Sequence, residues 1–125
     1  MFTHIMLGSN DIAKSKAFYG PVLGALGYEA FEMPERIFFR GEHGAFGVAA
    51  PRDGQPATHA NGGTIGFVAK TPADVDAFHA AGVANGGACE GAPGRRSGAP
   101  GNPYGAYLRD PDGNKICAFA AFPDA

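Results

Sequence analysis

The sequence predicts an α+β fold of two tandem βαβββ modules, in which paired, curved, mixed sheets surround a cleft and the helices pack outside. An internal repeat is the first observation: Phe18 matches Phe78 at a spacing of 60. Nearer the end of the chain, Arg40 matches Arg109 at a spacing of 69. The second observation is that the residue pattern of each half predicts a strand, a helix and three further strands. Two such modules, packed with approximate twofold symmetry, enclose a cleft in which each functional position occurs twice.

The first module is expected to span residues 1–50. Its opening strand covers 2–7, and a Ser-Asn-Asp run ending at Asp11 supplies side-chain oxygens that cap a helix. Apolar residues at helical spacing continue to Leu23, and Pro21 within them predicts a kink or a break. Three β-rich runs separated by turn residues then predict strands over 28–33, 36–40 and 45–50.

The polar segment 51–61 is expected to link the modules, and the second module is expected to span 62–122. It repeats the plan, with a strand over 64–69 and a helix that Thr71 caps. The spacing grows from 60 to 69 across segment 90–103, which places a nine-residue insertion there. The Gly and Pro content of that segment predicts a loop rather than a long strand. A terminal hairpin is expected, with strands over 104–109 and 115–121.

Length, charge and cysteine usage limit the classes of function. At 125 residues the chain is expected to form one domain over residues 1–125. A net charge of −2 and a pI near 6.0, without a basic stripe, argue against nucleic acid as a partner. No apolar run approaches a membrane span, and Cys89 and Cys117 lack metal-type spacing. We therefore expect a cytoplasmic protein with reduced thiols and no membrane partner.

Three stretches carry a family resemblance. They are the opening Phe-Thr-His-Ile, the helix Asp-Val-Asp-Ala-Phe-His-Ala-Ala, and the ending Tyr-Gly-Ala-Tyr-Leu-Arg-Asp-Pro-Asp-Gly-Asn-Lys-Ile. With the βαβββ repeat, they resemble the vicinal oxygen chelate superfamily, the glyoxalase, bleomycin-resistance and extradiol dioxygenase group. The resemblance covers essentially the whole chain and is closest to the small glyoxalase-like proteins. The Asp-Pro-Asp-Gly-Asn turn is its most recognisable piece, although a turn of this kind carries no chemistry.

The resemblance implies four metal-ligand positions on the first and last strands of the modules: His4, Val48, Thr64 and Cys117. His4 is a good imidazole ligand, Val48 cannot bind a metal, and Thr64 is a weak neutral ligand. Cys117 stands in place of the carboxylate that the family uses. One imidazole and one thiolate fall short of the three or four ligands that zinc or copper sites use. We therefore expect no metal and no other cofactor.

The side chains of single residues leave alternatives open. His4 can be a hydrogen-bonded histidine on the inner face, and Cys117 a small buried apolar residue. If the two faced each other across the cleft, they would resemble a nucleophile and its base. Arg95 and Arg96, on the predicted insertion, form either a lid over an anionic ligand or part of a solvated loop.

The leading functional expectation is binding of a small organic molecule, as in the bleomycin-resistance branch that this chain resembles. The alternative is a lyase or isomerase of glyoxalase type, in which His4 and other ligands hold a divalent metal. A homodimer is expected, because small repeats of this kind expose sheet edges that pairing covers. The predicted cleft lining is Phe2, His4, Met6, Thr64 and Cys117, with Tyr104, Tyr107, Phe46 and Phe119 as weaker candidates because the faces of their strands are open.

Overall fold

The computed structural model describes residues 1–121 and confirms the α+β fold of two βαβββ modules. The predicted end of the second module, residue 122, lies outside the described residues. The first module contains β1 (His4–Gly8), α1 (Ile12–Gly24), β2 (Glu29–Met33), β3 (Arg36–Gly41) and β4 (Gly44–Ala49). The second contains β5 (Ile65–Val68), α2 (Pro72–Ala84), β6 (Ala88–Arg95), β7 (Tyr104–Arg109) and β8 (Lys115–Ala120).

Each module forms its own four-stranded sheet, in the order β1-β4-β3-β2 and β5-β8-β7-β6. In both sheets the first strand pairs in parallel with the last, and the remaining pairs are antiparallel. The sheets are therefore mixed, and neither closes into a barrel. Across the part of the chain that the structure describes, no helix is long and apolar enough to cross a membrane.

The predicted caps begin both helices. The side chain of Asp11 accepts a hydrogen bond from the backbone N–H of Lys14, and Thr71 does the same for Asp74. The expected kink or break at Pro21 does not divide α1, which continues to Gly24. Pro21 lies in the last turn, and its carbonyl still accepts from Ala25 at 3.0 Å, so only one helical hydrogen bond is lost.

The prediction of a loop over 90–103 is wrong for the first part of that segment, because β6 continues to Arg95 as an edge strand. Its pairing with β7 shifts in register on both sides of Gly91, and Pro93 lies within the second irregularity. An edge strand with bulges accommodates Gly and Pro, since some of its backbone N–H groups need no hydrogen-bond partner in a neighbouring strand. The connecting loop is thus reduced to 96–103.

One hydrophobic core joins the two modules. Each helix packs on its own sheet and contacts the other helix, and the Phe46 and Phe67 rings meet across the modules with centroids 5.0 Å apart. Phe18 and Phe78, the repeat-related pair, are both fully buried in this core. Each sheet consequently has one face in the core and one face without a helix. We call these helix-free faces the first open face (β1–β4) and the second open face (β5–β8).

A buried carboxylate also holds the modules together. Asp110, in the turn between β7 and β8, accepts a hydrogen bond from the Tyr19 hydroxyl of α1 at 2.6 Å. It also accepts from the backbone N–H groups of Asp112 and Asn114, each at 2.9 Å. Burial, followed by the charge of Asp110, raises the pKa of Tyr19 well above its ordinary value of 10.0. This turn therefore anchors the second module to the helix of the first.

Candidate functional site

The first open face carries an apolar row across three strands. Met6 lies opposite Gly47, which in turn lies opposite Phe38. A Cβ atom on Gly47 would come within 2.5 Å of the Phe38 ring and 2.7 Å of the Met6 sulfur, so both side chains lie over the glycine. Phe2, Met6 and Phe31 are 65%, 41% and 45% exposed. The predicted lining residues Phe2 and Met6 thus belong to an uncovered apolar surface.

His4 lies on the same open face, one row away from Met6. Its Nδ1 atom is 2.9 Å from the Thr3 hydroxyl, and its partner across the sheet is Ala45. Ala45 pairs in turn with Arg40 of β3. Neither neighbour offers a lone pair to a cation, so His4 has no second ligand in its own row.

The second open face carries a row of residues with more functional groups than the apolar row of the first open face. Gly66 lies opposite Cys117, and Cys117 lies opposite Tyr107. In the next row, Phe119 lies over Gly105, where an added Cβ would come within 2.0 Å of its ring. Thr64, just before β5, is exposed beside these rows. The predicted residues Thr64, Cys117, Tyr107 and Phe119 therefore lie on one sheet.

Two cations flank the Tyr107 ring. Lys115 Nζ lies 5.0 Å from the ring centroid, and the Arg96 guanidinium carbon lies 5.6 Å from it. Arg96 donates to the carbonyl oxygens of Ala92 at 2.7 Å and Gly94 at 2.9 Å. Of the two arginines expected on the insertion, Arg96 therefore folds back over the sheet, and Arg95 is the last residue of β6.

Cys117 is a poor candidate for a ligand or nucleophile. Its side chain is buried, with only 4% exposure, and desolvation raises the pKa of the thiol to about 11. The thiolate, not the thiol, attacks electrophiles and binds metals. At neutral pH Cys117 is thus an uncharged thiol, and it belongs to a different sheet from His4.

Val48 and Tyr104 face the helices rather than the cleft, which corrects two of the sequence assignments, whereas Phe46 lies on the same side of β4 as Val48 but borders the groove described below. Val48 is fully buried in the core, and Phe46 packs there against Tyr19. Tyr104 donates its hydroxyl hydrogen to Asp76 of α2 at 2.6 Å. Since side chains alternate between the faces of a strand, an error of one residue moves a side chain to the opposite face.

The error at Val48 has a definite origin in the repeat. The β3–β4 turn places two residues between Gly41 and Gly44, whereas the β7–β8 turn places three between Asp110 and Asn114. The spacing between the modules therefore becomes 70 in the last strand. Cys117 corresponds to Gly47, and Lys115, which sequence reasoning missed, corresponds to Ala45 and joins the second open face.

A groove of about 840 Å³ separates the modules. Phe39, Phe46 and Phe67 lie in its apolar floor, and residues of both open faces, including His4 and Val68, reach its edges. The Tyr28 hydroxyl crosses one end and donates to the Val68 carbonyl at 3.2 Å. Sequence reasoning did not include Tyr28, because its role depends on how the end of α1 meets β5.

The donor set does not fit the divalent metal that the family resemblance implies. Within residues 1–121 of one chain, no three His, Cys, Asp or Glu side chains are grouped so that they could hold a metal ion. Glu90, the acid nearest the second open face, is held by Arg109 at 3.1 Å. His4 on one sheet and the neutral Cys117 thiol on the other do not make up a set of three or four donors.

Comparison with known protein families agrees with this fold. The model of the Glyoxalase/Bleomycin resistance protein/Dioxygenase superfamily matches residues 1–118. The chain is similar to the solved structure of a glyoxalase/bleomycin resistance protein from Albidiferax ferrireducens T118. That pair has 56% sequence identity and a TM-score of 0.90, and the match covers 96% of this chain and 98% of the other. No curated protein matches the sequence.

More distant structures show the same fold. A glyoxalase/bleomycin resistance protein/dioxygenase family enzyme from Burkholderia phytofirmans PsJN has 18% identity and a TM-score of 0.71, with 96% of this chain and 98% of that chain covered. Lactoylglutathione lyase from Agrobacterium tumefaciens has 24% identity and a TM-score of 0.65, with 96% and 92% covered. At these identities the likeness concerns the fold alone.

Proposed function

We propose that this chain, which belongs to the Glyoxalase/Bleomycin resistance protein/Dioxygenase superfamily, binds a small organic molecule in its cleft without a divalent metal. The groove between the modules is the observation that carries the proposal. Its volume of about 840 Å³ lies within the range of small-molecule sites, and its floor is apolar. Aromatic side chains of both open faces continue the surface beyond the groove.

The residues at the metal positions support binding rather than metal-dependent chemistry. The structural counterparts are His4 and a small residue, Ala45 or Gly47, on the first open face, with Thr64 and Cys117 on the second. Only the imidazole is a strong ligand at neutral pH. Small residues where the family uses ligands leave space over the sheet for part of an organic molecule.

The proposal includes a homodimer. The open faces expose large apolar side chains, among them Phe31 at 45% and Val68 at 73%. Contiguous apolar surface of this kind marks interaction sites in soluble proteins. A second copy would cover these faces and enclose a ligand bound on them.

His4→Ala tests the metal-free part of the proposal. Because the only side-chain oxygen recorded next to His4 within residues 1–121 is the weak neutral hydroxyl of Thr3, we expect wild type and variant to contain the same substoichiometric metal after dialysis against chelator. We also expect less than about 1 kcal/mol change in the free energy of unfolding, since the side chain is exposed. Elemental analysis for Ni, Zn, Mn, Fe and Co and chemical denaturation measure the two quantities. His59→Ala, in the linker, is the matched control.

A stoichiometric metal that survives chelator in the wild type and is lost in His4→Ala would overturn this proposal. That result would favour the metal-dependent lyase or isomerase instead. Binding itself is tested by ligand-observed NMR with a panel of small organic compounds. Absence of any binder at millimolar concentration would contradict the binding function.

A further inference from the structure

We propose that Tyr107, Phe119, Lys115 and Arg96 form a binding site for a planar organic anion, an aromatic carboxylate. The ring of the ligand packs into the corner that the two aromatic side chains form, and its carboxylate pairs with the two cations. The inference goes beyond the groove of the proposed function, because these four residues lie on or over the second open face and none of them lines the groove. We refer to these four residues as the aromatic–cationic platform.

Glycines let the two rings of the platform lie close to the sheet. An added Cβ on Gly105 would come within 2.0 Å of the Phe119 ring, so that ring lies against bare backbone. An added Cβ on Gly91 would come within 3.1 Å of the Tyr107 ring. The two rings stand edge to face, with centroids 5.7 Å apart and an interplanar angle of 84°. Rings held in this way are pre-organised for stacking, because little side-chain freedom is lost when a planar ligand binds.

The charge of the platform is positive, although the whole chain has a net charge of −2. Among the residues that the structure describes, no carboxylate forms an ion pair with Lys115 or Arg96. The nearby acid, Glu90, is already bound to Arg109, and this hydrogen bond lowers the pKa of Glu90. Lys115 also acts on Glu90 through its charge but forms no ion pair with it, so both cations are available to an anion that arrives from solvent.

The position of Arg96 adds geometric selectivity. Two of its five N–H groups are used by the Ala92 and Gly94 carbonyls, which hold the guanidinium over Tyr107. The other N–H groups remain for a ligand. An anion that pairs with both Lys115 and Arg96 lies within reach of the Tyr107 ring, which both cations approach, so a ligand needs its carboxylate close to its own ring. A bare anion such as phosphate satisfies the charges but gains nothing from the rings.

The experiment uses 2-naphthoate as the probe and isothermal titration calorimetry as the measurement. Two comparison compounds separate the interactions: 2-naphthalenemethanol keeps the rings without the charge, and acetate keeps the charge without the rings. We expect 2-naphthoate to bind at least about tenfold more tightly than either. Inorganic phosphate is titrated as well and should bind no better than acetate.

Variants assign the binding to the platform. Lys115→Met should weaken 2-naphthoate about fivefold to tenfold and leave 2-naphthalenemethanol unchanged, because only the charge is lost. Tyr107→Leu should weaken both ring compounds. Lys14→Met, on the exposed side of α1, is the control that removes a lysine elsewhere. Arg96→Gln serves as a second charge variant, and thermal unfolding checks that each variant is folded.

The outcomes distinguish the two proposals. Equal affinity for 2-naphthoate and 2-naphthalenemethanol, or 2-naphthoate binding that neither Lys115→Met nor Arg96→Gln weakens, overturns the aromatic anion but leaves small-molecule binding intact. If other organic compounds bind but 2-naphthoate does not, the aromatic-anion proposal is likewise overturned and small-molecule binding stands. If no organic compound binds, both proposals fail.

Discussion

Cys117 shows how the environment of one residue decides its chemistry. It lies on the second open face with Gly66 on one side and Tyr107 on the other. Desolvation outweighs the opposing effect of the Lys115 charge and raises the pKa of the thiol. The residue that replaces a family ligand is consequently a neutral, apolar group that fills space on the second open face.

Slow alkylation of Cys117 is therefore expected. A pKa of about 11 against an ordinary 9.0 leaves about 100-fold less thiolate at pH 8. Iodoacetamide labelling followed by mass spectrometry should show exposed Cys89 modified first, which makes Cys89 the internal control. The Cys117 rate should keep rising with pH up to about 11. Equal labelling of the two cysteines at pH 8 would show that the thiol is activated and would revive a nucleophilic role.

At the scale of elements, the β7–β8 turn performs a structural task that its family-like motif does not reveal. Its Asp112 accepts hydrogen bonds from the Asn10 backbone N–H at 2.9 Å and the Ser15 hydroxyl at 3.4 Å, at the start of α1. A carboxylate there is favourable because a helix N-terminus carries partial positive charge. Together with the bond from Tyr19 to Asp110, this contact sets how the two modules pack.

Tyr19→Phe is expected to destabilise the fold by about 1–3 kcal/mol, because it leaves the buried Asp110 carboxylate without one of its donors. Chemical denaturation measures the change. Tyr28→Phe, which removes a hydroxyl bond near the surface, is the control and should cost less. A Tyr19→Phe effect no larger than the control would show that the bond contributes nothing to module packing.

Tyr19 also makes the free energy of unfolding depend on pH. Because the pKa of Tyr19 is raised in the folded state, its contribution to stability is complete below pH 10. Above pH 10 the unfolded chain loses this proton first, and stability falls as the pH rises toward the folded-state pKa. The part of this fall in stability with rising pH that Tyr19 causes should be missing in Tyr19→Phe.

At the scale of the whole molecule, the shared core leaves both open faces uncovered. Packing each helix on its own sheet and against the other helix satisfies the apolar residues of the repeat. The opposite faces still expose Phe2, Met6, Phe31, Met33 and Val68. A second copy of the chain, which presents the same two faces, is the partner that we propose for them.

Sedimentation at micromolar concentration should give twice the chain mass of 12.8 kDa. Val68→Lys, which places a charge on the second open face, should weaken self-association by at least about tenfold, since a buried unpaired charge is costly at an interface. Val83→Lys is the matched control, because Val83 is 51% exposed on α2. A monomeric wild type, or equal effects of the two variants, would contradict a dimer built on the open faces.

The order of elements, both helix caps and the fold class were predictable from the sequence, because each depends on local residue patterns. Asp11 and Thr71 cap their helices wherever those helices pack. The face of a strand was predictable only where its register was known. His4 and Met6 were placed correctly on one face of β1. Tyr104 and Val48 were placed on the wrong face. The register of β7 and β8 depends on the β7–β8 turn, which is one residue longer than the β3–β4 turn of the first module.

What the sequence by itself determined is the pair of modules and the weakness of their metal ligands, since a missing side chain cannot be restored by folding. Tertiary structure alone decided that the second open face combines Tyr107 with Lys115 and Arg96. These residues come from three strand regions: the approach of Arg96 depends on the register shifts at Gly91, and that of Lys115 depends on the pairing of β7 with β8. Charge and ring become one site only through pairing between strands that are distant in sequence, and loop closure and packing set that pairing.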